Sequence, residues 1–546
     1  MSIPKTVAVL SMLHEPAGTN SATRHFRGQP VLAWTLSRLE QSVHLHDVVV
    51  ACWADQLAFL EPLAEDGSAS VLNLGERRAD PIIERLAAAI RWSDGWRGGI
   101  LGACEFDRGF NASVVLEAIR QSEATHALLV DPASGLVDPH IIDLLLIDSM
   151  KANAAAIHIA PAAAGLAGAL LSAEVLQDLQ RLNWHPGKLC AYEPRRPVVD
   201  PLGQTESFQL DAAVARSMAY LKIDSDRQLS RFDRAFAELN GSLVASGAGD
   251  LVRRFEAASN TDPHPREVLL EVTCRRQSNP LFWPGQRYDI NRPDMTLEQA
   301  RPVLEQLAEA EDIRLVLGGV GDPLESAHGL EIARLARELG IAAVSIETDL
   351  LAEQRVLLEV LELAPDLLAV HMPAVTSQSY ATIMGVNALS RCVGNVGWFL
   401  QRQVSGMALP ILLPVFVKCQ QNLAELETWY ERWVQTLGTA VVRGVPRLMA
   451  DVPDLQVADM APPTMRAVRA DKTRMTILSN GLVVACEEDA TGEAPLGNVF
   501  EEGVQAMWRR LREAGAASVN EAKERGVYCF CQSCREWHPA PEAIAA

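Results

Sequence analysis

Apolar positions along this chain come in short runs, separated by segments with helical spacing. Thr6 to Met12 is β-branched and apolar and predicts a buried strand. A polar loop, His14 to Gly28, follows it, and then a helix over Pro30 to Gln41. Val48 to Cys52 and Ala127 to Asp131 repeat the apolar run, the second ending in an aspartate. Strands alternating with helices at this spacing predict a mostly parallel α/β sheet. Ligands of such sheets sit at the carboxyl ends of the strands, which makes the loop 14–28 and Asp131 candidates.

The stretch 241–265 interrupts the pattern with Gly, Ser, Asn, Asp and Pro around a short helix, and predicts a domain junction. A second series starts at Glu267 to Thr273 and continues with Ile313 to Leu317, Ala342 to Ile346, Leu367 to His371, Leu412 to Val417 and Thr439 to Val442. Between these lie segments of period near 3.6, such as Leu297 to Ala310, Leu330 to Leu339 and Ala424 to Leu437. Six βα units in a row predict a parallel barrel or partial barrel, (β/α)6. Asn480 to Cys486 then reads as a hairpin turn and a strand that presents one thiol. The expected organisation is a first α/β domain over 1–240, a linker over 241–265, a barrel over 266–450 and a small domain over 451–546. Ala154 to Ala173 is uncharged and long enough to be weighed as a membrane span. It holds His158 and Pro161 and is mostly Ala and Gly, so it predicts a buried strand, a turn and a helix start.

Charge changes the picture of partners. The 546 residues carry a net charge of −20, which argues against a nucleic-acid backbone as ligand. The charges are mixed, so the acidity belongs to a solvated surface. Met1 to Lys5 leads into the first strand without a signal-peptide pattern. Ten cysteines without even spacing suit a reducing cytosol.

Cys529, Cys531 and Cys534 fall within six residues, and Cys486 lies upstream. A C-x-C-x-x-C knot rarely reaches disulfide geometry. A tetrahedral thiolate site uses it well, gathering sulfurs from one tight loop and one distant residue. Zinc and iron–sulfur both fit these ligands; the plain alternative is four buried free thiols. Cys52, Cys104, Cys190, Cys392 and Cys419 are scattered and suit small core positions.

Leu317-Gly318-Gly319-Val320-Gly321-Asp322-Pro323-Leu324 follows a strand directly. Its glycines let a ligand approach the backbone, or form a tight strand-to-helix turn. With the six strands, this loop resembles the G-G-E-P-L segment of radical S-adenosylmethionine (SAM) enzymes, which contacts the SAM amino group. The resemblance implies a cofactor-binding role for Gly318, Gly319, Gly321 and Asp322. The first strand of that family ends in E-x-T-x-x-C-x-x-x-C-x-x-C. Here it is Glu271-Val272-Thr273-Cys274, continuing to Trp283. A motif begun at Cys274 has Ser278 and Leu281 at the other ligand positions; one begun at Arg276 has Pro280 and Trp283. At most one ligand survives, so reductive SAM cleavage is not expected.

The order after Gly481 resembles the SPASM domain, an auxiliary iron–sulfur module. Cys486 on a strand, Asp489, Leu496-Gly497-Asn498-Val499, a helix with Trp508 and the cysteine knot all match its pattern. The resemblance implies one [4Fe–4S] cluster, rather than zinc, on Cys486, Cys529, Cys531 and Cys534.

The first domain resembles the cytidylyltransferases that activate acidic sugars. Ser21-Ala22-Thr23-Arg24 and Gly28-Gln29-Pro30 match its opening loop, Leu128 to Pro139 its metal segment, and Ile223-Asp224-Ser225 its second metal aspartate. The resemblance implies that Arg24 contacts a nucleotide and that Asp131 and Asp224 hold Mg²⁺ with its phosphates. Gln29 stands where that family has a lysine, which removes one positive charge facing the phosphates. The three resemblances in this order are those of spiro-SPASM-type proteins. They imply an iron–sulfur protein linked to cell-surface or sugar-related biosynthesis. An active radical SAM enzyme or a sugar-activating cytidylyltransferase is the alternative. The expected ligand is a small molecule or nucleotide; nothing in the sequence names a protein partner.

Overall fold

The computed structural model describes residues 3–516, except 16–19, 66, 94–100, 151–155, 192–208, 218, 240–242, 244–245, 259–261, 284–289, 404–408, 447–454, 456 and 458–473. The chain divides into two units, Met1–Asn260 and Thr261–Ala546.

The strands of the first unit are β1 (Thr6–Ser11), β2 (His25–Phe26), β3 (Gln29–Pro30), β4 (Asp47–Cys52), β5 (Ser70–Asn73), β6 (His126–Val130), β7 (His158–Ile159) and β8 (Ala169–Ser172). Its main sheet has six strands in the order β5-β4-β1-β6-β8-β7. The first four run parallel, and β8 and β7 add an antiparallel edge. Both faces are covered. Val7, Val9, Ala127 and Leu129 pack with Val115 and Ile119 on one side. Ala8, Leu10, Leu128 and Val130 pack with Leu32, Leu36 and Leu145 on the other. Burial on both faces explains why these strands read as continuous apolar runs rather than as alternation.

The alanine-rich stretch forms β7, β8 and the start of the helix Ala173–Leu182. No described helix is long and apolar enough to cross a membrane. The helix Ala248–Ala257, inside the stretch that breaks the sequence pattern, packs on this unit through Phe255, whose ring centroid lies 5.2 Å from that of Phe232.

The second unit holds β9 (Glu267–Leu270), β10 (Arg314–Leu317), β11 (Ala343–Thr348), β12 (Leu367–His371), β13 (Ile411–Lys418), β14 (Val441–Gly444), β15 (Arg474–Ile477), β16 (Leu482–Val484) and β17 (Pro495–Asn498). They form one nine-stranded sheet in the order β14-β13-β12-β11-β10-β9-β15-β16-β17. β9 to β14 are parallel in chain order, joined by crossovers that carry helices such as Leu297–Leu307, Gly329–Glu338 and Gln354–Leu363. β15 pairs parallel with β9, Arg474 to Ile477 against Glu267 to Leu270, and β16 and β17 continue antiparallel. The C-terminal hairpin therefore extends the same sheet. Val268, Leu270, Leu315, Leu317, Val344, Ile346, Leu368 and Val370 form its core. The α/β class with parallel sheets agrees with the sequence; most element ends differ by a residue or two, while β9 and the helix Leu297–Leu307 each stop three residues earlier than expected.

Candidate functional site

In the second unit, β9 to β12 end at one edge, and polar residues follow the apolar runs there. Glu271 lies just past β9 and is 1% exposed. Its carboxylate accepts from Arg292 Nε at 3.0 Å and from Arg292 Nη2 at 2.7 and 2.8 Å. It also accepts from the backbone N–H groups of Val320 at 3.2 Å and Ser479 at 3.1 Å. One buried charge is thus satisfied by a bidentate arginine and two amides, which is what burial of a carboxylate demands.

Arg276 makes a second such pair. Its Nε and Nη2 donate to Asp349 at 2.9 and 2.7 Å, Nη1 donates to the Val320 carbonyl at 3.2 Å, and Nη2 lies 3.0 Å from His371 Nδ1. The guanidinium carbon stands 4.5 Å from the centre of the Trp283 ring. Burial raises the Asp349 carboxyl, but Arg276 and His371 outweigh it and hold the group below the usual carboxylate range. Asp322 accepts from Thr348 Oγ1 at 2.8 Å and from the Asp349 N–H at 2.9 Å. Its own carboxyl is pushed up to about 6 by burial and by the neighbouring Asp349 charge.

The glycines of 318–321 face protein atoms. A β-carbon at Gly318 would meet the Glu347 side chain, one at Gly319 (φ +106°) the Glu271 side chain, and one at Gly321 the carbonyl oxygen of Thr273. The Asp322 N–H donates to the Arg275 carbonyl at 2.8 Å, closing the loop on the segment after β9. The loop makes a close turn of the kind that glycines permit.

The positions that align with cluster ligands carry other duties. The Cys274 thiol is pushed up to about 11, by burial first and then by Glu271, and donates to Glu271 Oε1 at 3.5 Å. Ser278 donates its hydroxyl to Asp349. Leu281 donates its N–H to the Ile383 carbonyl at 2.8 Å, and Trp283 Nε1 donates to the Val320 carbonyl at 2.7 Å. The sequence pattern marks Arg276 only as an alternative start of the ligand motif and assigns Arg292 no role; Asp349 follows β11 and His371 ends β12, where a polar residue closing an apolar run is a readable signal.

Cys486 follows β16 and is half-buried. The turn after it is built on Asp489, which is 3% exposed. Asp489 accepts from the N–H groups of Gly492 at 2.9 Å, Glu493 at 2.9 Å and Ala494 at 3.0 Å. Asn498 caps the helix Val499–Glu502 and donates to the Asn480 carbonyl at 3.1 Å, tying both ends of the hairpin. Cys529, Cys531 and Cys534 lie outside the described residues. Among the described residues no group of three or more His, Cys, Asp or Glu side chains is placed to hold a metal ion.

In the first unit, a small cleft opens beside the ends of β1 and β6. Ser11, Glu105, Arg108, Asp131, Ser134 and Lys222 line it. Asp131 Oδ1 accepts from the Ala133 N–H at 2.9 Å, and Oδ2 lies 3.0 Å from Lys222 Nζ and 3.4 Å from Arg108 Nε. Asp224 accepts from Arg108 Nη2 at 3.2 Å and from the Tyr220 hydroxyl. Burial raises the Asp131 carboxyl, and Lys222 and Arg108 overcome it, holding the group well below the usual range. Arg24 pairs with Asp226, on the helix that follows Ser225. The loop before it is fastened on itself, Glu15 accepting from the Ser21 N–H at 3.2 Å. The structure thus brings Asp131 and Asp224 to one arginine. Arg108, in a loop between Cys104 and Asn111, gave no sequence signal; Lys222 stood two residues before Asp224 and was readable.

Residues 469–535 match SPASM, an iron-sulfur cluster-binding domain. The matched span contains Cys486, Cys529, Cys531 and Cys534. An uncharacterized protein of Treponema pallidum (strain Nichols) is 24% identical over 314 residues, which are 54% of this chain and 84% of that protein. Among solved structures, BtrN in complex with AdoMet and 2-DOIA is 14% identical, with a TM-score of 0.32, over 50% of this chain and 93% of that one. A cytidylyltransferase from Leptospira borgpetersenii serovar Hardjo-bovis (strain JB197) is 15% identical, with a TM-score of 0.32, over 47% of this chain and 97% of that one.

Proposed function

We propose that this chain is an iron–sulfur protein in which Cys486, Cys529, Cys531 and Cys534 hold one [4Fe–4S] cluster. The observation that carries the reading is the iron-sulfur domain match over 469–535, which includes all four thiols. The half-buried Cys486, on a turn braced by Asp489, suits one fixed ligand of a cluster whose other ligands come from the C-terminal segment. A cubane needs four thiolates when no iron is left open, and the knot supplies the remaining three.

In this reading the parallel strands β9 to β14 are a (β/α)6 partial barrel that no longer generates radicals. Reductive SAM cleavage needs three thiolates after the first strand, so that SAM chelates the open iron. Cys274 is a protonated thiol bonded to Glu271, and the Arg276–Asp349 pair with Trp283 fills the neighbouring space. These residues do not fit a cluster, so SAM has no open iron to chelate at this strand end. The first unit is a nucleotidyltransferase-like domain, and its role lies in sugar-related or cell-surface biosynthesis. Its ligand is a small molecule or nucleotide bound at the strand-end cleft lined by Asp131. The scattered buried thiols suit a cytoplasmic setting.

The test is metal analysis of anaerobically purified protein. It should be brown, with about four irons and matching sulfide per chain. Cys531→Ser should lose most of the iron, and Cys274→Ser should keep it. Colourless protein with stoichiometric zinc would overturn the cluster while keeping the site. Formation of 5′-deoxyadenosine from SAM above a no-protein control, lost in Cys274→Ser, would restore an active enzyme.

A further inference from the structure

The cytidylyltransferase resemblance calls for a magnesium ion between Asp131 and Asp224. The chain's own cations stand there. Arg108 Nε lies 3.4 Å from Asp131 Oδ2, and its Nη2 lies 3.2 Å from Asp224 Oδ2. Lys222 Nζ lies 3.0 Å from Asp131 Oδ2 and 3.2 Å from Glu105 Oε2. We infer that Arg108 and Lys222 are a built-in replacement for a divalent metal ion, and that the first unit's cleft takes its ligand without metal.

Three arguments carry this. The first is charge. One guanidinium and one ammonium supply the two positive charges that a divalent ion would bring; both face Asp131, and Arg108 also reaches Asp224 while Lys222 reaches Glu105. The second is donor supply. Mg²⁺ requires oxygens at about 2.0–2.1 Å in near-octahedral array. Asp131 Oδ1 already accepts from Ala133, Oδ2 faces both cations, and Asp224 Oδ2 accepts from Arg108 and the Tyr220 hydroxyl. An incoming cation would displace those donors and meet two like charges at close range. The third is permanence. Side chains of Lys222 and Glu105 are 2% and 4% exposed, so this network is part of the packed interior.

The removal of both cations should leave Glu105, Asp131 and Asp224 as an open set of hard oxygen ligands beside the cleft. The experiment is an electron paramagnetic resonance titration of the full chain with Mn²⁺, reading the free-ion signal. Wild-type protein should leave the signal as in buffer. Arg108→Gln combined with Lys222→Gln should remove about one equivalent, and a further Asp131→Asn should abolish that uptake. A double variant that folds only when Mn²⁺ is supplied supports the inference equally. If it folds in neither condition, Arg108→Gln alone decides: uptake supports the replacement, and none refutes it. Stoichiometric Mn²⁺ binding by wild type that is lost in Asp224→Asn would overturn the inference. So would a folded double variant that takes up no metal. Iron content of the same samples reports separately on the C-terminal cluster.

Discussion

Replacing Arg276 by methionine should destabilise the second unit by about 3–5 kcal/mol at neutral pH, because it strands a buried carboxylate. The side chains of Arg276 and Asp349 are 5% and 1% exposed, and two hydrogen bonds of 2.9 and 2.7 Å join them. Methionine keeps apolar contact with Trp283 but leaves Asp349 with the Ser278 hydroxyl and His371 as neighbours. The pH dependence has a definite sign. In the wild type, burial raises the Asp349 carboxyl and Arg276 more than reverses this, so the folded pKa is depressed. Its stabilisation is full above the unfolded value of about 3.9 and is lost as pH falls below it. In Arg276→Met the same carboxyl is buried without its counter-ion, its folded pKa rises, and acid relieves the penalty. The difference between the two proteins is therefore largest near pH 7 and shrinks toward about pH 4. Urea unfolding at both pH values measures the difference. Hydrogen–deuterium exchange locates it, with protection lost in β9 and β11 and retained in the first unit. A loss under about 1 kcal/mol at pH 7, or a difference that does not change with pH, would refute the reasoning.

Further outcomes follow from single contacts. Gly321→Ala should destabilise the second unit by several kcal/mol and lower soluble yield, since the new methyl would collide with the backbone of Thr273 and Arg275 rather than with a movable side chain; a melting temperature equal to wild type would contradict the packing of this loop. Asp489→Ala removes an acceptor shared by three backbone N–H groups, and should cost about 1–3 kcal/mol and loosen iron retention, read by chelator challenge of the holoprotein. Cys274→Ser should change stability by no more than about 1 kcal/mol and leave the visible spectrum intact, since a hydroxyl can donate to Glu271 as the thiol does. The raised Asp322 carboxyl, at about 6, favours the folded state less once it ionises. Its contribution is full below about pH 4 and is lost as pH rises through 6, and Asp322→Ala should remove that component from the pH–stability curve.

Much of the fold was legible before any coordinates. Strands buried on both faces leave continuous apolar runs, so β1, β4, β6 and β10 to β13 could be placed within a residue or two, while the run Glu267 to Thr273 overshoots β9 by three. β5 was missed because the edge strand Ser70–Asn73 buries only Leu72 and carries too little pattern. β15 was missed as well, and it joins the C-terminal hairpin to β9, pairing Arg474 with Glu267 across about two hundred residues. An apolar period tells which faces of a strand are buried, but not which strand lies beside it.

Sequence alone is enough to state the alternation of strands and helices, the spacing of Cys529, Cys531 and Cys534, and that Cys274 is the one thiol between Glu271 and Trp283. Each of these is local: a period, a spacing or a residue type is sufficient to state it. Only the tertiary structure decided what stands where the resemblances lead one to expect cofactors. It brought Arg276 to Asp349, Arg292 to Glu271, and Arg108 between Asp131 and Asp224. Such pairs join residues from different loops, and a buried charge is stable only where the fold delivers its counter-ion. That delivery depends on strand order and loop path, which no window of sequence contains.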